Sequence, residues 1–298
     1  MTREERIKVW KDTVDAVNDG SYESESGEVI EFTKQDEMKA ESVFYAAKCK
    51  CGNVTVEASA EKAEVSVVND DCLKVAVRLT EEGLETCVLN MASFLRPGGG
   101  VMSGSAAQEE DIFRRTNIFK SLFQYSILAA DYGVEENEQQ YPLERTYGAV
   151  YTPHVTVFRG SSAEGYKYLD KPFMVNVVSI AAVKRPQIVG NRDIQDWVKN
   201  TIGKKVMQML DIAICHGNDA IVLGAFGCGA YATPPEPVAK IFKAVLEMDR
   251  YAKAFDKVVF AVLDDANSHK AHNPEGNYKP FKEILESNTK RNNYAQIF

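Results

Sequence analysis

The chain has 298 residues, 45% of them hydrophobic and 26% charged, so it can bury a core and is not a disordered polyelectrolyte. Its 43 Asp and Glu outnumber 35 Lys and Arg, for a formal net charge of −8. That balance excludes a protein that coats nucleic acid through a positive surface, and leaves open a small anion held by backbone amides.

No run approaches the roughly 18 apolar residues of a membrane span. Residues 1–11 (MTREERIKVWK) are charged and lack the apolar centre of an export signal, so a cytoplasmic protein is expected. Six scattered cysteines, Cys49, Cys51, Cys72, Cys87, Cys215 and Cys228, make no disulfide scaffold and read as reduced. Cys49 and Cys51 form a CxC pair. A structural zinc site takes four ligands, usually as two close pairs, and no second pair exists, so no metal is expected.

In chain order, Thr2 and Glu5 make a capping box ahead of Ile7, Trp10, Val14 and Val17 at helical spacing, and Gly20 stops the helix. Residues 21–70 are polar and acidic, with short β-like runs at 54–57 and 63–68. Residues 85–91 (ETCVLNM) read as a strand running into a glycine-rich turn. A helix is expected over 110–130, with Phe113, Leu122 and Ile127 on its buried side. Residues 132–147 read as a polar surface loop. A strand is expected at 173–179 and a long helix over 194–216, with Trp197, Val198, Ile202, Val206, Met209, Leu210 and Ala213 at helical spacing. A strand at 220–223, a turn at 224–231, a helix at 238–248 and a strand at 257–263 complete the pattern.

Strands alternating with helices need crossover connections, hence an α/β fold with a largely parallel sheet and helices on both faces. One compact domain over 1–298 is expected, with 1–70 as an N-terminal extension packed on the core.

Ligands of open α/β sheets bind beyond the carboxyl ends of strands. Two such ends carry glycine clusters, residues 90–111 (NMASFLRPGGGVMSGSAAQEED) and 224–231 (GAFGCGAY). Glycines there let backbone amides converge on an anion, and two such loops suit a pyrophosphate better than two tight turns. GxxxxGK[ST] is absent, and GAFGCG has the wrong spacing for GxGxxG, which excludes the usual ATP and nicotinamide loops.

The pair Glu109–Glu110 is the sharper feature. Two carboxylates against an anion-binding loop are costly unless they do chemistry, and a carboxyl beside a sugar can protonate a leaving oxygen and then activate water. The plainer alternative is an acidic first turn that stabilises the helix after it.

GGG, seven residues and then QEE together resemble the signature of the poly(ADP-ribose) glycohydrolases, a branch of the macrodomains. TREERIKVWKDTVDAVNDGSY, VLNMAS, YTPHVTVFR and GAFGCGAY extend the resemblance to the bacterial type over nearly the whole chain. The resemblance implies a macrodomain-like mixed sheet between helices. It implies Glu110 as catalytic acid and Glu109 as the group that holds the ribose hydroxyls, with Gln108 supporting the loop. It implies Gly98, Gly99 and Gly100 as the loop around the distal ribose and phosphate. Gly227, Cys228, Gly229 and Ala230 match the diphosphate loop, and Tyr231 its aromatic. Asn90 and Ser93 match a ribose-contact region, with Ser93 standing where macrodomains commonly carry asparagine. The adenine-stacking residue is not located.

The activity implied is hydrolysis of ribose–ribose O-glycosidic bonds, releasing ADP-ribose mainly from chain ends, with no cofactor. The implied partners are poly(ADP-ribose) or ADP-ribosylated protein, with no membrane and no general nucleic-acid binding. A hydrolase of mono-ADP-ribosylated protein or DNA, or a non-catalytic ADP-ribose reader, is the alternative, and a reader would lack Glu110.

Other residues read plainly. His154, His216, His269 and His272 are scattered. Cys228 has no histidine within local reach, Ser103 and Ser105 make no GxSxG elbow, and Asp264–Asp265 suit a solvated strand end.

Overall fold

The computed structural model describes residues 1–50 and 62–287; Cys51 and the run at 54–57 lie outside them. The elements begin α1 (Arg3–Asp19), β1 (Ser21–Glu23), β2 (Val29–Glu31), α2 (Gln35–Ala40), β3 (Val43–Tyr45), β4 (Glu64–Val68), α3 (Cys72–Glu81) and β5 (Thr86–Met91). They continue with α4 (Gln108–Arg115), α5 (Phe119–Leu122), β6 (Ala149–Arg159), β7 (Tyr168–Ile180), β8 (Ile188–Val189) and β9 (Asp193–Ile194). The last are α6 (Asp196–Cys215), β10 (Ala220–Leu223), α7 (Pro235–Leu246), β11 (Lys257–Ala261) and α8 (Tyr278–Leu285). Seven strands form one mixed sheet in the order β3-β6-β7-β5-β10-β11-β4, the α/β architecture expected. The chain divides into two compact units, Met1–Ala46 with Asn90–Ala181, and Ala47–Leu89 with Ala182–Phe298.

In the first unit, α1 starts as its sequence dictates. The Glu5 amide donates to Thr2 Oγ1 (3.2 Å) and the Thr2 amide to Glu5 Oε2 (2.6 Å), and Gly20 closes the helix at φ +79°. Trp10, 2% exposed, anchors the helix among the rings of Phe113, Phe119, Phe123 and Tyr132, with centroids 5.4–6.3 Å away. Strand β6 runs antiparallel to both β3 and β7, with Val43 opposite Tyr151 and Ala149 opposite Ile180. A register shift between Thr152 and Val155 accommodates Pro153, which cannot donate to a ladder, and puts His154 at φ +54°.

The single helix expected over 110–130 is broken. Thr116 is extended (φ −138°, ψ 166°) and pairs with Val157, while the Thr156 amide donates to Asn117 Oδ1 (2.9 Å). A β-branched residue and an asparagine thus dock on β6 and end α4, and a short second helix follows. Phe113 and Leu122 are buried as expected, but Ile127 is 86% exposed, because the break rotates the chain after it out of the helical phase. Residues 132–147 hold a single 3₁₀ turn at their start and are otherwise irregular, as their polarity suggested.

In the second unit, β5, β10, β11 and β4 are parallel, with Ala220 opposite both Thr86 and Lys257, and Lys257 opposite Glu64. Continuous apolar strands such as AIVL belong in such a sheet, covered on both faces. Val238, Ile241, Phe242, Val245 and Leu246 of α7 are buried, as are Val198, Ile202, Val206, Met209, Leu210 and Ala213 of α6, whereas Trp197 is 63% exposed in the first turn of that helix. The reading of all six cysteines as reduced does not hold for Cys215, which is disulfide-bonded. Among the described residues no helix is long and apolar enough to cross a membrane.

Truncating Trp10 to alanine is expected to lower the unfolding free energy by about 3–5 kcal/mol, as for other large core deletions. Urea unfolding checks this, and a loss under about 1 kcal/mol would show that α1 is not held through its tryptophan.

Candidate active site

Strand β5 delivers Asn90 and Met91 to the sheet's carboxyl edge, and α4 begins at Gln108 after the glycine run. The first three residues of α4 all turn back to backbone amides. Gln108 Oε1 accepts from the Met91 amide (2.8 Å), Glu109 Oε2 from Ser93 (2.7 Å), Glu109 Oε1 from Gly98 (3.0 Å) and Glu110 Oε1 from Gly100 (2.8 Å). Ala107 in the N-cap position offers no side-chain acceptor, so the glutamates are not spent on capping in the ordinary way.

Both glutamates are buried, Glu109 to 4% and Glu110 to 7% exposure. The glutamates that open α4 are therefore not solvated. Burial first, and then the charge of Glu110, push the Glu109 carboxyl up to about 8, against the pull of the Ser93 and Gly98 amides. Glu109 thus retains its proton at neutral pH. Gly99, at φ +50°, is where the loop passes closest. A Cβ there would lie 2.6 Å from Glu110 Oε1 and 2.9 Å from Glu109 Oε2, so a side chain would displace the carboxyls.

Two polar atoms in this cluster are buried without a hydrogen-bond partner among the described residues, Glu110 Oε2 and Asn90 Oδ1. Asn90 is fully buried and its amide nitrogen donates to Ser179 Oγ (3.0 Å). A buried acceptor left unmade is costly, and such atoms mark places built to meet something else. The first unit therefore brings together Asn90, Ser93, Gly98, Gly99, Gly100, Gln108, Glu109 and Glu110.

Gly227, Cys228, Gly229, Ala230 and Tyr231 lie in the second unit, in the turn between β10 and α7. That turn is tied down through its carbonyls. His272 Nε2 (2.8 Å) and Asn273 Nδ2 (3.4 Å) meet the Cys228 carbonyl, the Arg185 amide donates to the Tyr231 carbonyl (2.7 Å), and Thr233 donates to Gly227 (3.0 Å). The amides of Gly229 and Ala230 donate no hydrogen bond among the described residues. A Cβ on Gly229 would meet nothing nearer than Asn267 Cβ at 3.8 Å. Burial pushes the Cys228 thiol well above its ordinary range, so it is a small packed residue and not a nucleophile.

Four residues take supporting roles that the sequence does not show. Arg114, fully buried, donates from Nη1 to the Glu110 carbonyl (3.1 Å), although two arginines ending a short helix read as solvated cations. His272 and Asn273 reach the Cys228 turn from 44 and 45 residues downstream, where no local spacing reveals them. Asp264 closes its own loop, accepting from the Asn277 amide (2.6 Å) and Ser268 Oγ (2.9 Å). Among the described residues no group of three or more His, Cys, Asp or Glu could hold a metal ion.

A family model described as microbial-type PARG, catalytic domain, matches residues 11–160. Among solved structures, the chain is similar to poly(ADP-ribose) glycohydrolase from Thermomonospora curvata bound to the inhibitor ADP-HPD. The two are 28% identical with a TM-score of 0.74, over 93% of this chain and 98% of that one. It is also similar to poly(ADP-ribose) glycohydrolase from Deinococcus radiodurans in complex with ADP-ribose, at 26% identity and TM-score 0.66, over 86% and 99% of the two chains. A search of the curated proteins finds no match.

The raised Glu109 carboxyl has a signature in stability. Its folded value near 8 exceeds its ordinary 4.5, so the unfolded chain releases that proton first and stability falls as pH rises between the two. Glu109→Gln removes this dependence. The melting temperature of the variant relative to wild type is expected to climb steadily between about pH 5 and pH 8, and a difference that stays flat would contradict the raised value.

Proposed function

The chain belongs to the family of microbial-type poly(ADP-ribose) glycohydrolase catalytic domains and is a hydrolase of that polymer, and from that premise we propose that it frees ADP-ribose mainly from chain ends with Glu110 as acid and base. The observation that carries this reading is the state of the Glu110 carboxyl. One oxygen is fixed by the Gly100 amide, and the other is buried with no hydrogen-bond partner among the described residues, as a group waiting for a reacting atom would be.

Cleavage follows from these groups. Glu110 gives its proton to the ribose oxygen that leaves C1″, the C1″–O bond breaks, and the sugar takes on oxocarbenium character. Water then adds to C1″ and returns its proton to the Glu110 carboxylate, which restores the acid. Glu109 holds the ribose hydroxyls, and its raised carboxyl supports the reading, because a Glu109 that keeps its proton at neutral pH adds no second full negative charge beside Glu110.

Gln108 braces the strand end through Met91, and Asn90, whose Oδ1 has no partner among the described residues, faces the same sugar. The Ser93 amide is committed to Glu109, so Ser93 acts by fixing that carboxylate. Gly98, Gly99 and Gly100 wrap the distal ribose. In the second unit, Gly227, Cys228, Gly229 and Ala230 take the diphosphate through backbone amides, of which those of Gly229 and Ala230 donate no hydrogen bond among the described residues, and Tyr231 packs on a ribose.

Incubation with purified poly(ADP-ribose), and in parallel with mono-ADP-ribosylated protein, tests the reading. Wild type is expected to release ADP-ribose from the polymer. Glu110→Gln keeps the shape but loses the proton, so turnover should fall by about 10²–10⁴-fold, while calorimetry finds ADP-ribose affinity within a few-fold of wild type. Full turnover in the variant would move the chemistry to another group. Faster release from the mono-ADP-ribosylated protein would make that the substrate.

A further inference from the structure

The segment between the glycine run and Glu110 is a small knot of backbone hydrogen bonds. Val101 donates to Gly98 (2.9 Å), Ser103 to Gly100 (3.0 Å), Gly104 to Val101 (3.0 Å) and Ser105 to Gly100 (3.1 Å). Those bonds use the carbonyls of Gly98, Gly100 and Val101, and arginines meet those of Ser103, Gly104, Ser105 and, a second time, Val101. Arg3 Nε donates to Ser103 O (2.6 Å), Arg6 Nε to Gly104 O (2.7 Å), and Arg114 Nη2 to Ser105 O (2.5 Å) and Val101 O (3.5 Å).

Two of these arginines come from the first turns of α1, and the third is bound to that helix twice. Arg114 Nε donates to Arg6 O (3.2 Å), and Thr13 Oγ1 donates to Arg114 O (2.7 Å). The approach is close enough to require glycine at 104. A Cβ there would lie 2.5 Å from the Arg3 carbonyl oxygen, and the residue sits at φ +73°. Trp10 fixes the helix on the ring cluster, so the arginines stand on a rigid base.

We infer that α1 is a working part of the active site, with Arg3 and Arg6 as positioning residues that hold the glycine knot so that the Gly100 amide stays on Glu110 Oε1. This rests on the reading of Glu110 as the acid. The linkage runs through rigid groups. Any shift of the knot moves Gly100, Gly100 orients the carboxyl, and a misplacement of about 1 Å in such a constellation costs on the order of 10²-fold in rate. Neither arginine touches the substrate in this account. Their loss should therefore appear in kcat and spare KM.

The test uses the full chain with poly(ADP-ribose) and separates this role from two others. Arg3→Met with Arg6→Met keeps the aliphatic stems and removes the donors. A loss of about 10- to 100-fold in kcat is expected, with KM changed less than about threefold and recovery in the Arg3→Lys, Arg6→Lys pair, which keeps a donor on each stem. Arg3→Met alone, at an exposed side chain that cannot unfold the protein, should show part of the kcat loss with an unchanged melting temperature. A loss confined to KM and erased by salt would make the arginines a lure for a polyanion and overturn the inference, as would unchanged kcat. A wild-type protein that releases nothing from the polymer would instead overturn the reading of the function itself.

Discussion

Two carboxyl groups buried side by side are among the most expensive arrangements a fold can hold, and the first unit is organised around supporting Glu109 and Glu110. Three of the four oxygens accept from backbone amides, of Ser93, Gly98 and Gly100. Backbone donors cannot swing away as side chains can, so the price of burial is offset only if the loop carrying them stays still. The helix start that carries the glutamates and the loop that receives them must therefore be locked together. Arg114 does this from within, and α1 does it from outside.

The turn at 224–231 in the second unit solves a related problem in the same way. Its Cys228 and Tyr231 carbonyls are held by His272, Asn273 and the Arg185 amide, while the Gly229 and Ala230 amides donate no hydrogen bond among the described residues. In the first unit the carbonyls of Val101, Ser103, Gly104 and Ser105 are gripped, and the Gly98 and Gly100 amides are aimed at carboxylates. In both places a loop is gripped by its acceptors so that its donors point one way. A loop cannot present aligned amides for an anion unless its carbonyls are engaged elsewhere.

Much of this was legible in the residues. The capping box at Thr2 and Glu5, the stop at Gly20 and the apolar strands AIVL and KVVFA are local signals, and each element forms where they point. The glycine run and the QEE motif located the glutamate cluster of the first unit. Thr116 escaped because its break depends on pairing with Val157, a contact no helical period records. Strand β6 was hidden by Pro153, which reads as a strand breaker until a bulge is known to absorb it. Which strands of the mixed sheet run antiparallel is not written in any one of them, since pairing direction is a tertiary property. Arg3, Arg6 and Arg114 look like solvated cations in the sequence, and only the carbonyls opposite them show otherwise.

One atom is decisive, Glu110 Oε2, buried without a hydrogen-bond partner among the described residues. A crystal structure with ADP-ribose bound tests it most directly. The account predicts that Oε2 comes within about 3 Å of the anomeric oxygen on C1″, the position of the leaving group, with the Gly100 amide still on Oε1. Ordered ADP-ribose whose C1″ lies beyond hydrogen-bond reach of Glu110, or an Oε2 that still meets nothing, would contradict it.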